Sequence, residues 1–225
     1  MAMKNDSALA AAFAAANLPG AAAILVNRDG ETYARAFGQA DAVAGVPMAL
    51  DTPVQIASMT KALVSVAAMQ LVEAGRLALD APIGPVLPDL ADPQVLTGFA
   101  EDGTPQLRPA ARAITLRHLL THTAGLGYFF IHPEVLRYFA ATGMPVPGSL
   151  ASIRMPLMFD PGERWEYSVA TDWTGQAIEA VTGERLGDYL RHAVLEPLGM
   201  TQTAFLPALP TGAAQVHQRS ADGRF

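Results

Sequence analysis

The sequence predicts an α/β fold of the α+β kind, with an antiparallel sheet flanked by helices and a mostly helical subdomain beside it. Three observations carry that expectation. Two short apolar runs, residues 21–27 (AAAILVN) and 32–38 (TYARAFG), flank the turn Arg28-Asp29-Gly30-Glu31 and read as a β-hairpin. Residues 58–74 (SMTKALVSVAAMQLVEA) have the spacing of a long helix, with Gly75 where a C-terminal cap belongs. Hydrophobic residues make up 51% of the 225 and charged residues only 16%, which supplies a sizeable core and is the reverse of a disordered composition.

Taken in order, residues 7–17 have high helix propensity, with Asp6 or Ser7 as the cap and Pro19-Gly20 as the stop. The hairpin follows, then the long helix, in which Leu63, Val66, Ala67, Gln70, Leu71 and Ala74 keep mostly helical spacing. Residues 79–112 carry Pro82, Pro85, Pro88, Pro93, Pro105 and Pro109, which predicts loops or short helices rather than sheet. A short apolar segment at 114–121 ends in Thr123-Ala124-Gly125-Leu126. Residues 133–158 read as helix in pieces, broken by Gly143, Pro145, Pro147 and Gly148. Two more helices fit 172–181, stopped by Gly183, and 186–195, stopped by Pro197. Two strands alone do not make a stable sheet, so the hairpin needs further strands and the chain is expected to lack them at its C-terminal end. The expected organisation is a single, C-terminally incomplete domain over 1–225. Residues 1–79 begin an α/β subdomain, 80–200 are mostly helical, and 201–225 start a return to the sheet.

Charge and composition exclude several functions. Fifteen Lys and Arg against 21 Asp and Glu give a formal charge of −6, the wrong sign for nucleic acid. The absence of cysteine rules out disulfides, thiolate zinc and a cysteine nucleophile. No run approaches the roughly 20 apolar residues that span a bilayer. The N-terminal alanine-rich run is broken by Asn17, Pro19 and Gly20, a poor export signal. A soluble, cytoplasmic protein without membrane contact is expected.

Two local patterns can carry chemistry. In Ser58-Met59-Thr60-Lys61, positions i and i+3 share a helix face, so the hydroxyl and the amine come within hydrogen-bond reach. A serine is a weak nucleophile until a neighbour takes its proton, and a lysine does so only with its pKa lowered by burial or positive potential. The plainer alternative is a helix cap followed by an exposed lysine. In Pro161-Gly162-Glu163-Arg164-Trp165-Glu166-Tyr167-Ser168-Val169, a tyrosine ahead of a helix start can shuttle protons if cations depress its pKa, or can simply pack on Trp165. His118 and His122 have a spacing that can present two imidazoles to a metal, but no third ligand accompanies them, and packing or backbone hydrogen bonding explains them better.

Three segments together resemble one superfamily. Residues 53–67 (PVQIASMTKALVSVA), Leu116–Leu126 (LRHLLTHTAGL) and Pro161-Gly162-Glu163 with Tyr167-Ser168 are similar, in order and spacing, to motifs of the serine β-lactamases and penicillin-binding proteins. Class C β-lactamases and family VIII carboxylesterases are the nearest likeness. The resemblance implies a β-lactamase-like fold with Ser58 as acylated nucleophile, Lys61 as base or proton relay, and Tyr167 as the partner that activates Ser58 and later water. It implies no cofactor and no metal. Trp165, Tyr128, Phe129 and Phe130 are candidates to line an acyl pocket, with core packing as the alternative.

Two departures from the family pattern bear on function. The lactamases carry Asn two residues after the motif tyrosine, where this chain has Val169, a substrate-facing position in the family. The change points from lactams towards simple esters. The family's third motif, a late-strand Lys-Thr-Gly or variant whose backbone gives the second oxyanion donor, has no Lys-Thr-Gly match between Tyr167 and Phe225. A second chain or segment is the expected source, with a truncated gene product as the alternative, and residues 1–225 alone are not expected to be an efficient enzyme. The expected function is hydrolysis of short-chain carboxylic esters, a small-molecule substrate. The alternatives are a β-lactamase or D-alanyl-D-alanine peptidase, and a non-catalytic binding protein of the same fold.

Overall fold

The computed structural model describes residues 2–221, with the side chains of residues 2–6 left aside. Residues 222–225, expected within the return to the sheet, lie outside the described residues. Contacts divide the chain into two compact units, residues 1–57 with 206–225, and residues 58–205.

The first unit begins with α1 (Ala2–Ala16), which starts earlier than its expected cap, so Ser7 lies inside the helix. Asn17, in the left-handed region at φ 46°, ends it. The hairpin forms as β1 (Gly20–Asn27) and β2 (Gly30–Asp41). Asn27 pairs with Gly30, leaving Arg28 and Asp29 as a two-residue turn, and Gly30 takes the φ of 122° that side chains disfavour. β2 runs past its expected end because it also pairs with β3 (Val46–Pro47), giving the order β1-β2-β3. β1 is thus an edge strand, and Ile24, Leu25 and Val26 on it are exposed. The segment from Leu206 joins this unit, its described residues forming no strand; Ala214 N–H donates to Pro53 O and Gln215 N–H to Ala40 O, both at 2.8 Å.

The second unit holds the main core, built on α2 (Thr60–Glu73) against α5 (Ala170–Thr182). Val64, Ala67, Ala68 and Leu71 meet Ala170, Trp173, Ala177 and Ile178, and the alanines let the two helices approach closely. The buried stripe of α2 differs from the expected one by a step: Val66 is exposed, and Val64 and Ala68 take the inner face. The Trp173 indole N–H finds Ile153 O at 3.1 Å, so its burial leaves no orphaned donor.

Residues 79–112 depart from expectation. They contain a hairpin of β4 (Gln94–Phe99) and β5 (Pro105–Pro109). The prolines that argued against a strand stand at the first and last positions of β5, where a missing N–H does little harm. β4 is held on its other side by Leu157, whose N–H reaches Gln94 O and whose carbonyl accepts from Leu96 N, both at 2.7 Å. Val95 and Leu96 go into the interior. That support comes from a residue remote in sequence, which local patterning does not reveal.

The remaining elements are short. α3 (Leu116–Leu120) opens on a reciprocal cap, with Thr115 Oγ1 accepting from His118 N and His118 Nδ1 accepting from Thr115 N, both at 3.2 Å. α4 (Pro133–Thr142) and a single 3-10 turn at Leu150–Ser152 are the helical pieces between 133 and 158. Gly183, at φ 77°, caps α5 as expected, and α6 (Leu186–Leu190) continues into a π turn at Arg191–Leu195.

Candidate active site

The segments at 116–126 and 158–168 are zipped together by backbone hydrogen bonds. The loop after α3 gives its carbonyls at His122, Thr123 and Gly125 to the N–H groups of Glu166 at 2.8 Å, Gly162 at 2.7 Å and Met158 at 2.7 Å. The approach is close enough that a Cβ on Gly125, at φ 92°, would lie 2.2 Å from Phe159 O. Asp160 anchors the same stretch. Its buried carboxylate takes two hydrogen bonds from Arg108, at 3.1 and 2.7 Å, and one from Ala111 N–H at 2.7 Å. The Arg108 guanidinium and that N–H hold its pKa down at about 2.

Tyr167 is presented from this zipped pair towards the start of α2. Ser58 sits in the 3-10 turn Ala57–Met59 that leads into the helix. Ser58 Oγ is 2.6 Å from Tyr167 Oη and 3.3 Å from Lys61 Nζ, so one hydroxyl meets both groups that could handle its proton. Lys61 Nζ stands 4.8 Å from the centre of the Tyr167 ring and 5.7 Å from that of Tyr128.

The electrostatics divide these groups. Burial pulls the Lys61 ammonium down, but the hydroxyls of Tyr167 and Tyr128 outweigh it and hold the ammonium above its ordinary value. That is the reverse of the lowering a free-amine base requires. Tyr167 shifts the other way: the Lys61 ammonium, and Ser58 when its hydroxyl turns to donate, favour the phenolate. Burial raises Tyr128 and also Asp172, in the first turn of α5, whose rise is countered by Lys61. Tyr167 is therefore the more acidic of the two partners and Lys61 the more firmly protonated.

The aromatic candidates surround Tyr167 unequally. Tyr128 lies 5.5 Å from it between ring centres and stacks on Phe130 at 4.8 Å. Trp165, largely exposed, lies parallel to Tyr167 at 6.5 Å. Phe129 touches Phe130 edge-on and has no ring contact with Tyr167 among the described pairs. Val169 is buried in the core at the N-terminal boundary of α5, not on the aromatic surface. Sequence reasoning offered Tyr128 as a pocket candidate without its proximity to Lys61, and passed over Asp172; the signal for the latter was a carboxylate in the first helical turn after the tyrosine.

The two histidines do not converge on a metal. His118 caps α3, and among the described residues no group of three or more potential ligands comes together. His122 instead faces the Tyr167 ring, with centroids 4.9 Å apart. No helix among the described residues is long and apolar enough to cross a membrane.

Comparison with known proteins places these motifs in context. A family model described as Beta-lactamase matches residues 5–224. The acyltransferase mokF of Monascus pilosus is 36% identical over 97% of this chain and 56% of its own length. Esterase EstB of Burkholderia gladioli is 36% identical over 93% of this chain and 53% of its own. The unliganded simvastatin synthase LovD of Aspergillus terreus superposes with a TM-score of 0.81, at 36% identity, over 97% of this chain and 59% of that one. The chain spans about half the length of the curated relatives it matches.

Proposed function

The chain belongs to the Beta-lactamase family, and on that premise we propose that it cleaves short-chain carboxylic esters through an acyl-enzyme on Ser58. The observation that carries this reading is the position of Ser58 Oγ within hydrogen-bond reach of both Tyr167 Oη and Lys61 Nζ. With Tyr167 neutral, its O–H donates to Ser58. Once ionised beside the Lys61 ammonium, the phenolate accepts the serine proton instead. Ser58 Oγ then attacks the ester carbonyl, and the tetrahedral oxyanion is stabilised by backbone donors such as the Ser58 N–H at the helix start. Tyr167 returns the proton to the departing alkoxide, leaving the acyl group on Ser58 and releasing the alcohol. Water, deprotonated by Tyr167, attacks the acyl-serine and regenerates the hydroxyl. Lys61 keeps its proton throughout and holds the phenolate in place.

The exposed rings of Trp165, beside Tyr167, and of Phe130, stacked on Tyr128, suit the apolar part of an acyl group or an alcohol. A second reading, acyl transfer to an alcohol rather than to water, uses the same acyl-enzyme and is favoured by the identity to mokF, an acyltransferase by name. Lactam cleavage is the weaker reading, since Val169 offers no side-chain amide where the family's lactamases use Asn.

The test compares p-nitrophenyl butyrate and nitrocefin turnover, with Ser58→Ala as control and an alcohol acceptor added in a parallel series. Ester turnover that exceeds nitrocefin turnover and vanishes in Ser58→Ala supports the proposal. Ester turnover that survives in Ser58→Ala sinks it. Partition of the acyl group to the added alcohol over water supports the transfer reading.

A further inference from the structure

His122 makes one contact that the proposed chemistry leaves unexplained: it grips the chain on both sides of Tyr167. Its carbonyl accepts from Glu166 N at 2.8 Å, and its ring Nδ1 accepts from Ser168 N at 3.3 Å. Ser168 Oγ lies at 3.3 Å from the same nitrogen and accepts from Ala170 N at 3.4 Å; with Nδ1 already an acceptor for the Ser168 N–H, the hydroxyl is the donor in that pair. Ser168 is almost wholly buried. The imidazole therefore receives two donors on Nδ1 and carries its own proton on Nε2. To do this His122 adopts a left-handed backbone, φ 55°, a conformation that costs a side-chain-bearing residue free energy. Its ring packs on Tyr167 at 4.9 Å and on Trp165 at 6.4 Å.

Resting on the reading of Ser58 and Tyr167 as the reacting pair, we propose that His122 is the positioning residue for Tyr167, its carbonyl and Nδ1 fixing residues 166 and 168 so that the phenol is held against Ser58. The grip fails if Nδ1 gains a proton, because that proton would face the Ser168 N–H. The groups around the ring set when that happens. Burial and the Lys61 ammonium on α2 both disfavour imidazolium, Tyr167 is in ring contact, Glu166 is bonded through its main chain, and Asp172 at the start of α5 acts on Tyr167. An acid limb in the rate is thus expected below the ordinary imidazole value of about 6.5.

Asparagine offers a discriminating substitution, since its Oδ1 can stand where Nδ1 stands, it tolerates the left-handed backbone, and it does not titrate. Glycine keeps the backbone relaxed and the carbonyl that holds Glu166 N–H, but removes the ring acceptor. His122→Gly is expected to lower kcat about 100-fold with KM nearly unchanged, as a misplacement of about 1 Å would. His122→Asn is expected to retain most of the rate and to lose the acid limb. Crystal structures of both variants read the Tyr167–Ser58 separation directly, whether or not either is active. The proposal is overturned if His122→Gly keeps that separation at 2.6 Å, or if His122→Asn is as slow as His122→Gly. Lack of any Ser58-dependent turnover in the parent would instead count against the acyl-enzyme reading, and the two structures would still decide the role of His122.

Discussion

Tyr128 and Tyr167, with ring centres 5.5 Å apart, share the ammonium of Lys61 yet are driven in opposite directions as acids. Tyr167 gains from Lys61 and Ser58 and is held towards phenolate, whereas burial keeps Tyr128 a phenol. Environments that separate two like groups in this way commonly separate their roles. Tyr167 suits proton transfer, and Tyr128 suits a fixed acceptor for the lysine.

Tyr128→Phe tests that division, because it keeps the stacking on Phe130 and removes only the hydroxyl. The hydroxyl raises the Lys61 pKa, so its loss lowers it, and the alkaline limb of the rate moves to lower pH. The rate itself is expected to fall about 10-fold, against about 100-fold or more for Tyr167→Phe. A pH–rate profile of each variant on p-nitrophenyl butyrate measures both effects. Equal losses would remove the distinction between the two tyrosines.

Asp160 links stability to pH. Its folded pKa of about 2 lies below the ordinary carboxylate value, so its contribution is fully present above about pH 4 and is lost as pH falls through about 2. Asp160→Asn is expected to lower Tm at neutral pH and to converge on the parent as pH drops across that window. Thermal unfolding followed by circular dichroism at several pH values reads the convergence. A constant Tm gap down to pH 2 would mean the ion pair with Arg108 is not its source.

Gly125→Ala brings a Cβ to 2.2 Å from Phe159 O on a backbone at φ 92°. Strain and overlap together are expected to cost about 2–4 kcal/mol of stability. Urea unfolding checks this, and a loss under 1 kcal/mol would show that the two zipped loops separate easily.

Trp165→Ala removes an exposed ring that contacts no core residue in the ring-pair geometry but parallels Tyr167. If this ring receives the acyl chain, kcat/KM for a butyrate ester is expected to fall about 10-fold while an acetate ester changes little. Equal changes for both esters would place the tryptophan outside the acyl path.

The sequence by itself determined which chemical groups this chain carries, their order, and most of its helices. The serine-lysine spacing at the start of α2, the stop at Gly183 and the early hairpin are local facts, governed by neighbours within four residues or by a two-residue turn. The motifs also carried the family likeness, because they are short and contiguous. Tertiary structure alone decided the rest. The hairpin at 94–109 depends on Leu157 for its second edge, so prolines that looked like loop signals became strand ends. The buried stripe of α2 was set by what α5 offered rather than by period alone. Above all, the charge states of the candidate site follow from groups remote in the chain, since Tyr167 and Ser58 are 109 residues apart. A pKa answers to distance in space, where burial and hydrogen bonds act. Spacing alone put a lysine within reach of the serine and left its charge open, whereas the folded chain sets that lysine beside two tyrosine hydroxyls that hold its pKa up.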